Sequence, residues 1–361
     1  MLSRLNRFSR RKTANASWTD DMITIHMTTH KRLAAGLLDQ AVSSVLTQDF
    51  QDFEFIVCDD ASTDGTAAYL DAVAATDKRL KVFRNSRNVN SVAISLGRCM
   101  TASDPGRRWI SWMFDDCILL PGALRRLATA VAGKDLGMIY GITEVRQPDG
   151  SAFRVGDLSP DEVRTRIAAS SVLVPNGGIL IDRTVFDRIG WYDPSIVLRR
   201  SCDWDLFRRI IDAGTTFEVL PDVLMEEHGA LQTDSLRNAF TTTFDLMARF
   251  IAARDASGLR ISLANTASMP IDWIPPAAWT PQDLGLMQFM FVEYFLSVGD
   301  LPRAFRWARS LEAHLPGGNL LRQNLLRSVS EGGNNGAMAA GAYAGIMLGA
   351  YRQHRERLGE A

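Results

Sequence analysis

The first third of the chain alternates short apolar segments with longer amphipathic ones, and this alternation constrains the fold more than any other feature. Strands are predicted near 22–28, 53–58, 80–84 and 108–113, and helices near 34–48, 65–76, 91–102 and 121–133. Strands that alternate with helices argue for an α/β fold with a largely parallel sheet covered by helices on both faces.

Further elements are predicted after this region. One strand is predicted near 136–142 and another at Val172–Ile181, with a hairpin turn at Gln147–Gly150 between them. A helix is predicted to start near Ser201 or Asp203, either of which could cap it, because the apolar residues that follow recur at helical spacing.

Two of the predicted strands end in adjacent carboxylates. Asp59 and Asp60 close the second strand, and Asp115 and Asp116 follow the fourth. Paired acids at the end of a buried strand are costly unless a positive charge lies beside them. A divalent cation that holds a diphosphate would meet this need, because hard cations choose carboxylate oxygens. A loop with two solvated acids is the alternative for the Asp115–Asp116 pair taken alone. Ligands of open α/β sheets bind at the carboxyl ends of the strands, so the two pairs together indicate one nucleotide site.

Four ordered segments carry a family resemblance. They are Ile23–Arg32, Ala41–Phe50, Val57–Thr66 and Phe114–Pro121. In this order they resemble the inverting family 2 glycosyltransferases with the GT-A fold. The resemblance covers roughly residues 22–232, and it implies a Rossmann-like, mixed but mostly parallel sheet with helices on both faces. It also implies a metal-dependent transferase that uses a nucleotide-sugar donor.

The resemblance implies roles for the carboxylates and for one histidine. Asp203 takes the position of the catalytic base, which removes the proton of an acceptor hydroxyl. A plain helix cap is the alternative for Asp203, and Asp205 is its rival as the base. Asp116 is the implied direct ligand of Mg²⁺ or Mn²⁺, with Asp115 nearer the ribose. His228 fits a second position that can reach the metal or the diphosphate, although a lone histidine is usually structural.

The nucleobase end of the site is implied by the same resemblance. Thr28 and His30 lie where the opening loop contacts the base, and the imidazole could stack on it. Asp60 lies where an acid accepts a hydrogen bond from a uracil-type ring N–H. Arg87 is a further candidate for the nucleotide, with a solvated loop arginine as the equal alternative. The turn Asn176–Gly178 precedes a strand, where acceptor contacts often lie.

Three regions are predicted along the chain. Residues 1–20 form a basic tail, for which a membrane-surface helix is the alternative to a flexible segment. Residues 21–232 form the transferase domain. Residues 233–361 form a helical region with a helix at Asp234–Arg254. That region also carries a tetratricopeptide-like hairpin that turns at Gly299–Asp300, and an apolar packing helix at Ala337–Tyr351.

Composition restricts the compartment and the partners. The net charge of −1 gives no general attraction to nucleic acid. The four cysteines have neither metal-ligand spacing nor the density of a disulfide framework, which favours a reducing cytosol. No apolar segment follows the basic N-terminus, so no signal peptide is predicted. We therefore expect a cytoplasmic protein, with contact to the inner face of the membrane and self-association through the C-terminal helices as further expectations.

The predicted function is the transfer of a sugar from a nucleotide-sugar, chiefly a UDP-sugar, to a hydroxyl of a glycan, polysaccharide or lipid-linked acceptor. Two alternatives stay open. A nucleotidyltransferase would also use acidic metal ligands on an α/β sheet, but it would usually carry a glycine-rich phosphate loop. A non-catalytic, transferase-like domain could instead act as an interaction scaffold.

Overall fold

The computed structural model describes residues 22–170, 173–199, 201–228, 244–266 and 269–311. The predicted N-terminal tail and the predicted helix Ala337–Tyr351 lie outside these residues. Nine strands form a single sheet in the described part of the chain. They are β1 (Ile23–Thr29), β2 (Phe53–Asp59), β3 (Leu80–Arg84), β4 (Trp109–Phe114), β5 (Cys117–Leu119), β6 (Met138–Arg146), β7 (Ala152–Val155), β8 (Ile179–Asp182) and β9 (Phe217–His228).

Eleven α-helices accompany the sheet in the same ranges. They are α1 (Leu37–Leu46), α2 (Thr66–Thr76), α3 (Val92–Ala102), α4 (Ala123–Val131), α5 (Pro160–Arg166), α6 (Arg183–Ile189), α7 (Cys202–Asp212), α8 (Phe244–Ala256), α9 (Leu263–Thr266), α10 (Pro281–Ser297) and α11 (Leu301–Leu311). A short 3-10 helix, Ile196–Leu198, precedes α7.

The sheet has a parallel half and a mixed half. Its strand order is β3-β2-β1-β4-β8-β6-β9-β5, with β7 paired to β6. The first four strands pair in parallel, as the alternation predicts. β1 and β2 are buried at nearly every position, because helices cover both faces of this half. β8 pairs antiparallel with both β4 and β6, so the sheet continues in mixed orientation. The predicted mixed α/β class with additional C-terminal helices is therefore confirmed.

Three local expectations need correction. The predicted strand Val172–Ile181 is shorter, because β8 begins only at Ile179. The segment between Asp116 and Pro121 is not simply a loop, since β5 pairs there with β9. β9, twelve residues long, was not among the strands predicted from the residue pattern. Buried and exposed residues do not alternate along β9, so it lacks the two-residue periodicity by which a half-buried strand is predicted.

Local capping chemistry explains several helix starts. The hydroxyl of Ser91 accepts a hydrogen bond from the N–H of Ile94 at the start of α3. At α10, Thr280 and Asp283 form a reciprocal capping box, and Pro281 occupies the first turn. The predicted turn at Gly299 lies between α10 and α11, and its φ of 73° suits glycine.

The C-terminal helices share one core with the sheet. Trp112 of β4 stacks on Phe207 of α7 with ring centroids 5.9 Å apart. The same cluster of buried residues contains Phe250 of α8 and Phe291 of α10. Since large aromatic side chains contribute most of the apolar area in such a cluster, α8 and α10 are stabilised by the same packing as the sheet.

All four cysteines are buried, and this leads to a simple prediction. Cys58, Cys99 and Cys117 have no exposed surface, and Cys202 is only 5% exposed. We expect a thiol reagent such as Ellman's reagent to modify the folded protein at least about tenfold more slowly than the protein in urea, because burial denies the reagent access to the thiols. Burial also raises the pKa of Cys99, Cys117 and Cys202. A thiol that reacts equally fast in both states would contradict this packing.

None of the described helices combines the length and the apolar character that a bilayer span needs.

Candidate active site

A cleft of about 630 Å³ opens at the carboxyl edge of the parallel strands. Its floor comes from residues that directly follow β1, β2 and β4, which is where open α/β sheets bind ligands. Six of the eight predicted site residues line this cleft, namely Thr28, His30, Asp60, Asp115, Asp116 and Asp203. They come from four separate places in the sequence, and the topology of the sheet brings them together.

The acid pair is buried and incompletely compensated. Asp115 and Asp116 are each 8% exposed. Burial, and then the charge of Asp116, raise the pKa of Asp115 to about 7. Burial also raises the pKa of Asp116, and the guanidinium of Arg32 offsets part of that rise. Arg32 lies 3.7 Å from Asp115 Oδ1. Burial disfavours the negative charge of both carboxyl groups, and a bound cation would stabilise that charge. The pair is therefore suited to binding a cation.

His228 lies beside the acid pair through the backbone. The N–H of His228 donates to the carbonyl oxygen of Asp116 at 3.0 Å, as β9 passes the start of β5. Its Nε2 atom is buried and has no hydrogen-bond partner among the described residues. The preceding residue, Glu227, lines the cleft, although the sequence patterns did not single it out.

The described residues contain no cluster of three or more His, Cys, Asp or Glu side chains arranged to hold a metal. The donor chemistry of Asp116 and His228 nevertheless suits a divalent cation, because one offers carboxylate oxygens and the other an orphaned imidazole nitrogen. A cation there would take its remaining ligands from substrate oxygens and water, as Mg²⁺ commonly does.

Asp203 lies in the first turn of α7 and faces the cleft. Its Oδ2 accepts a hydrogen bond from Asn176 Nδ2 at 2.5 Å, and its Oδ1 accepts one from the N–H of Trp204 at 2.8 Å. Ser201 is the N-cap of α7, and its side chain makes no capping bond. The turn that contains Asn176 therefore orients Asp203 within the cleft.

Asp205, the rival carboxylate, has a different environment. It has no exposed surface, and it pairs with Arg209 at 2.9 Å and with Arg254 at 2.9 Å. These charges hold the pKa of Asp205 below its usual value in spite of burial. A substrate cannot reach this carboxylate, so Asp203 is the α7 acid that is accessible from the cleft.

The base-binding end is organised by hydrogen bonds within the protein. His30 Nδ1 lies 2.7 Å from the carbonyl oxygen of Asp60, and its Nε2 lies 3.1 Å from Asn88 Nδ2. Because a carbonyl only accepts, these contacts assign the proton of the neutral ring to Nδ1. The Asp60 carboxylate accepts bonds from Asn85 Nδ2 and from the N–H groups of Val89 and Asn90 at 2.7–2.9 Å. Asp60 thus orders the 88–90 loop around the cleft.

Arg87 is exposed and is not among the residues that line the cleft. Its charge acts instead on Tyr294 and Asp300, which belong to the C-terminal helical region. Asn90 and Ser91 from the same loop do line the cleft.

The C-terminal helix α10 supports one wall of the cleft. The hydroxyl of Tyr294 donates to the carbonyl of Val89 at 2.6 Å, and Asn90 Nδ2 donates to Ser297 Oγ at 2.9 Å. Arg199, which also lines the cleft, donates to Asn90 Oδ1 at 3.0 Å. More than 200 residues separate Tyr294 and Ser297 from the loop that they contact. No local sequence pattern carries such a contact.

Known proteins resemble the chain in both sequence and fold. An uncharacterized glycosyltransferase of Haemophilus influenzae is 28% identical over 134 residues, which are 35% of this chain and 40% of that protein. A GalNAc(5)-diNAcBac-PP-undecaprenol beta-1,3-glucosyltransferase of Campylobacter jejuni is 32% identical over 91 residues, which are 25% of this chain and 29% of that protein. The matched stretches therefore span less than two thirds of these relatives.

A solved structure extends the similarity to the fold of nearly the whole chain. The crystal structure of S. aureus TarS 1–349 is 13% identical, covers 92% of each chain and has a TM-score of 0.50. At this identity the likeness concerns the fold, and it agrees with the expected GT-A architecture. The family model for glycosyl transferase family 2 matches residues 24–190, which contain β1 to β8 and the acid pair. These comparisons support a family 2 glycosyltransferase, with a family match that covers residues 24–190.

Proposed function

We propose that this protein transfers a sugar from a UDP-sugar to a hydroxyl group of a glycan, polysaccharide or lipid-linked acceptor, with inversion at the anomeric carbon. One observation carries the proposal. A single cleft contains both the buried acid pair Asp115–Asp116 and the accessible carboxylate Asp203. The first is suited to a cation-bound diphosphate, and the second to proton removal from an acceptor.

The donor would lie across the carboxyl edge of the sheet. His30, whose ring is held by Asp60 and Asn88, offers a fixed flat surface for the base. Asp60 has already accepted three hydrogen bonds on its two oxygens, which leaves Oδ2 as the atom with capacity for a ring N–H. Thr28 and Asp115 are the further donor contacts in this proposal.

Asp116 and His228 would hold a Mg²⁺ or Mn²⁺ ion. When bound, the cation would supply positive charge that stabilises the leaving diphosphate. Arg32 adds a guanidinium on the same side of the cleft, 3.7 Å from Asp115. The protein itself therefore contributes both the ligands and a neighbouring cation.

Asp203 would act as the base. Its carboxylate takes the proton of the acceptor hydroxyl as the new C–O bond forms and the bond to the diphosphate breaks. Asn176 and the N–H of Trp204 orient its two oxygens before the substrate arrives. A single displacement of this kind inverts the anomeric configuration.

The proposed class of acceptor is supported by the name of one relative. The name of the Campylobacter jejuni relative specifies an undecaprenol-linked acceptor, which supports a lipid-linked class. Such an acceptor would bring the protein to the inner face of a membrane through peripheral contact.

The proposal is tested by calorimetric titration with UDP, GDP and dTDP, each with and without Mn²⁺. UDP is the first choice because S. aureus TarS has been solved with UDP-GlcNAc. We expect UDP to bind most tightly, and Mn²⁺ to increase its affinity at least about tenfold, or about 1.4 kcal/mol. Asp116→Asn should abolish the Mn²⁺ effect, because it removes the charged ligand.

Asp135→Asn is the matched control, since Asp135 is exposed and does not line the cleft. It should bind UDP like the wild type. Equal UDP affinity with and without Mn²⁺ in the wild type would contradict the metal site. A folded protein that binds none of the three nucleotides would favour the scaffold function over the transferase.

A further inference from the structure

Arg199 stands out among the cations of the cleft because none of the described carboxylates pairs with it. Three basic residues line the cleft, namely Lys31, Arg32 and Arg199. Lys31 is exposed, and Arg32 lies beside Asp115. Arg199 is partly buried, and among the described residues no carboxylate lies within 4 Å of its guanidinium. A partly buried cation without an ion pair has lost hydration that an anionic ligand can replace.

Neutral groups hold this guanidinium in place. Its Nη2 donates to Asn90 Oδ1 at 3.0 Å, and its Cζ lies 5.6 Å from the centre of the Tyr294 ring. Asn90 is itself fixed by Ser297 and by Asp60, and it adopts a left-handed backbone with φ of 45°. These contacts orient Arg199 without cancelling its charge. A guanidinium has five donors in a rigid fork, so most of them stay available to an oxyanion.

The position of Arg199 in the fold connects it to the proposed base. It directly follows the buried 3-10 helix Ile196–Leu198, and its N–H donates to the carbonyl of Ile196 at 3.1 Å. Asp203 lies four residues later, in the first turn of α7. The diphosphate of the donor is proposed to lie at the other carboxylates, where Arg32 supplies the local cation. The acceptor, whose hydroxyl must reach Asp203, is therefore the substrate that approaches Arg199.

We propose that Arg199 binds an anionic group, a phosphate or a carboxylate, on the acceptor substrate. The inference rests on the proposed transferase function, and it narrows the acceptor to glycans or lipid-linked chains that carry negative charge close to the reacting hydroxyl. Bidentate binding by a guanidinium suits both anions, because their oxygens match the spacing of its N–H donors.

The test uses small anions as acceptor probes. Wild-type protein, saturated with UDP and the diamagnetic Mg²⁺, is titrated with glycerol 3-phosphate, with glycerate and with uncharged glycerol, and binding is followed by saturation-transfer NMR. We expect at least one of the two anions to bind and glycerol not to bind. Arg199→Met should weaken the binding of that anion at least tenfold while leaving UDP affinity within twofold. The difference between the two anions distinguishes a phosphate from a carboxylate.

Arg126→Met is the control, since Arg126 is an exposed arginine on α4 outside the cleft lining. It should bind the anion like the wild type. The proposal is overturned if neither anion binds, if Arg199→Met binds the anion normally, or if its UDP affinity falls instead. If the wild type binds no nucleotide, the proposed function fails by itself. In that case, the anion titration is carried out without UDP and shows whether an anion site that depends on Arg199 is present. Normal anion binding by Arg199→Met would still overturn the proposal for Arg199.

Discussion

Asp203→Asn should lower kcat for sugar transfer by about 10²–10⁴-fold, the range that a positioned general base contributes. The amide keeps the size of the side chain, and it can still accept from the N–H of Trp204 through its oxygen. It cannot take the proton of the acceptor hydroxyl. UDP affinity should stay within about twofold of wild type, since a loss of proton transfer leaves donor contacts unchanged.

The measurement is a UDP-release assay under saturating donor, with nucleotide affinity determined separately by calorimetry. Asp135→Asn serves again as the control and should retain wild-type kcat. A variant at Asp203 that keeps more than about a tenth of the activity would contradict its role as the base. If both kcat and UDP affinity collapsed, Asp203 would belong to the donor site and not to the acceptor site.

Arg254→Met should lower the free energy of unfolding by about 3–5 kcal/mol, because it leaves buried carboxylates without their partner. Arg254 of α8 is 1% exposed, and it pairs with Asp193 at 2.7 Å and with Asp205 at 2.9 Å. Both acids are fully buried. These carboxylates raise the pKa of the Arg254 guanidinium far above its usual value in spite of burial, so this guanidinium stays charged at any ordinary pH.

Urea unfolding measures this loss directly. Arg249→Met is the matched control on the same helix, because Arg249 pairs with Asp245 and Asp283 while its own side chain is 47% exposed. We expect that control to cost less than Arg254→Met does, because Arg249 and Asp245 are both largely exposed and exposed ion pairs contribute little. Similar losses for the two variants would mean that the buried cluster does not anchor α8 to α7.

The first half of the fold follows from local patterns. The strands β1 to β4 and helices α1 to α4 match the predicted alternation within a few residues. Each of these strands is short and a turn or a helix cap follows it, so local signals agree with the final structure. The acidic strand ends at Asp60 and Asp116 reach one cleft because parallel strands present their carboxyl ends at the same edge.

The second half of the fold depends on contacts that are distant in sequence. β9 pairs with β6 and β5, and this pairing places His228 next to Asp116. No residue pattern in the sequence predicted this strand. The sequence left Asp205 as a rival base. Its exclusion needed the knowledge that Arg254, 49 residues away, lies against it. Burial and pairing of this kind are properties of the folded core.

The wall of the cleft that α10 supports also depends on contacts between residues that are distant in sequence. Arg199 and Tyr294 acquire their roles only because α10 packs next to the loop that Asp60 organises. Arg87 was a reasonable candidate by its position in that loop, yet it does not line the cleft, and its charge acts on Asp300 of the C-terminal region. Loop residues two or three apart can face different surfaces, and sequence spacing does not resolve them.

The most direct test of the central claim is the location of Mn²⁺ in crystals grown with UDP, found by anomalous diffraction. The account predicts one anomalous peak within coordination distance of Asp116, with His228 as the second protein ligand and the diphosphate completing the shell. UDP should extend from this peak toward His30 and Asp60. A Mn²⁺ peak elsewhere, or UDP bound outside the cleft that Asp203 lines, would contradict the assignment of this cleft as the transferase site.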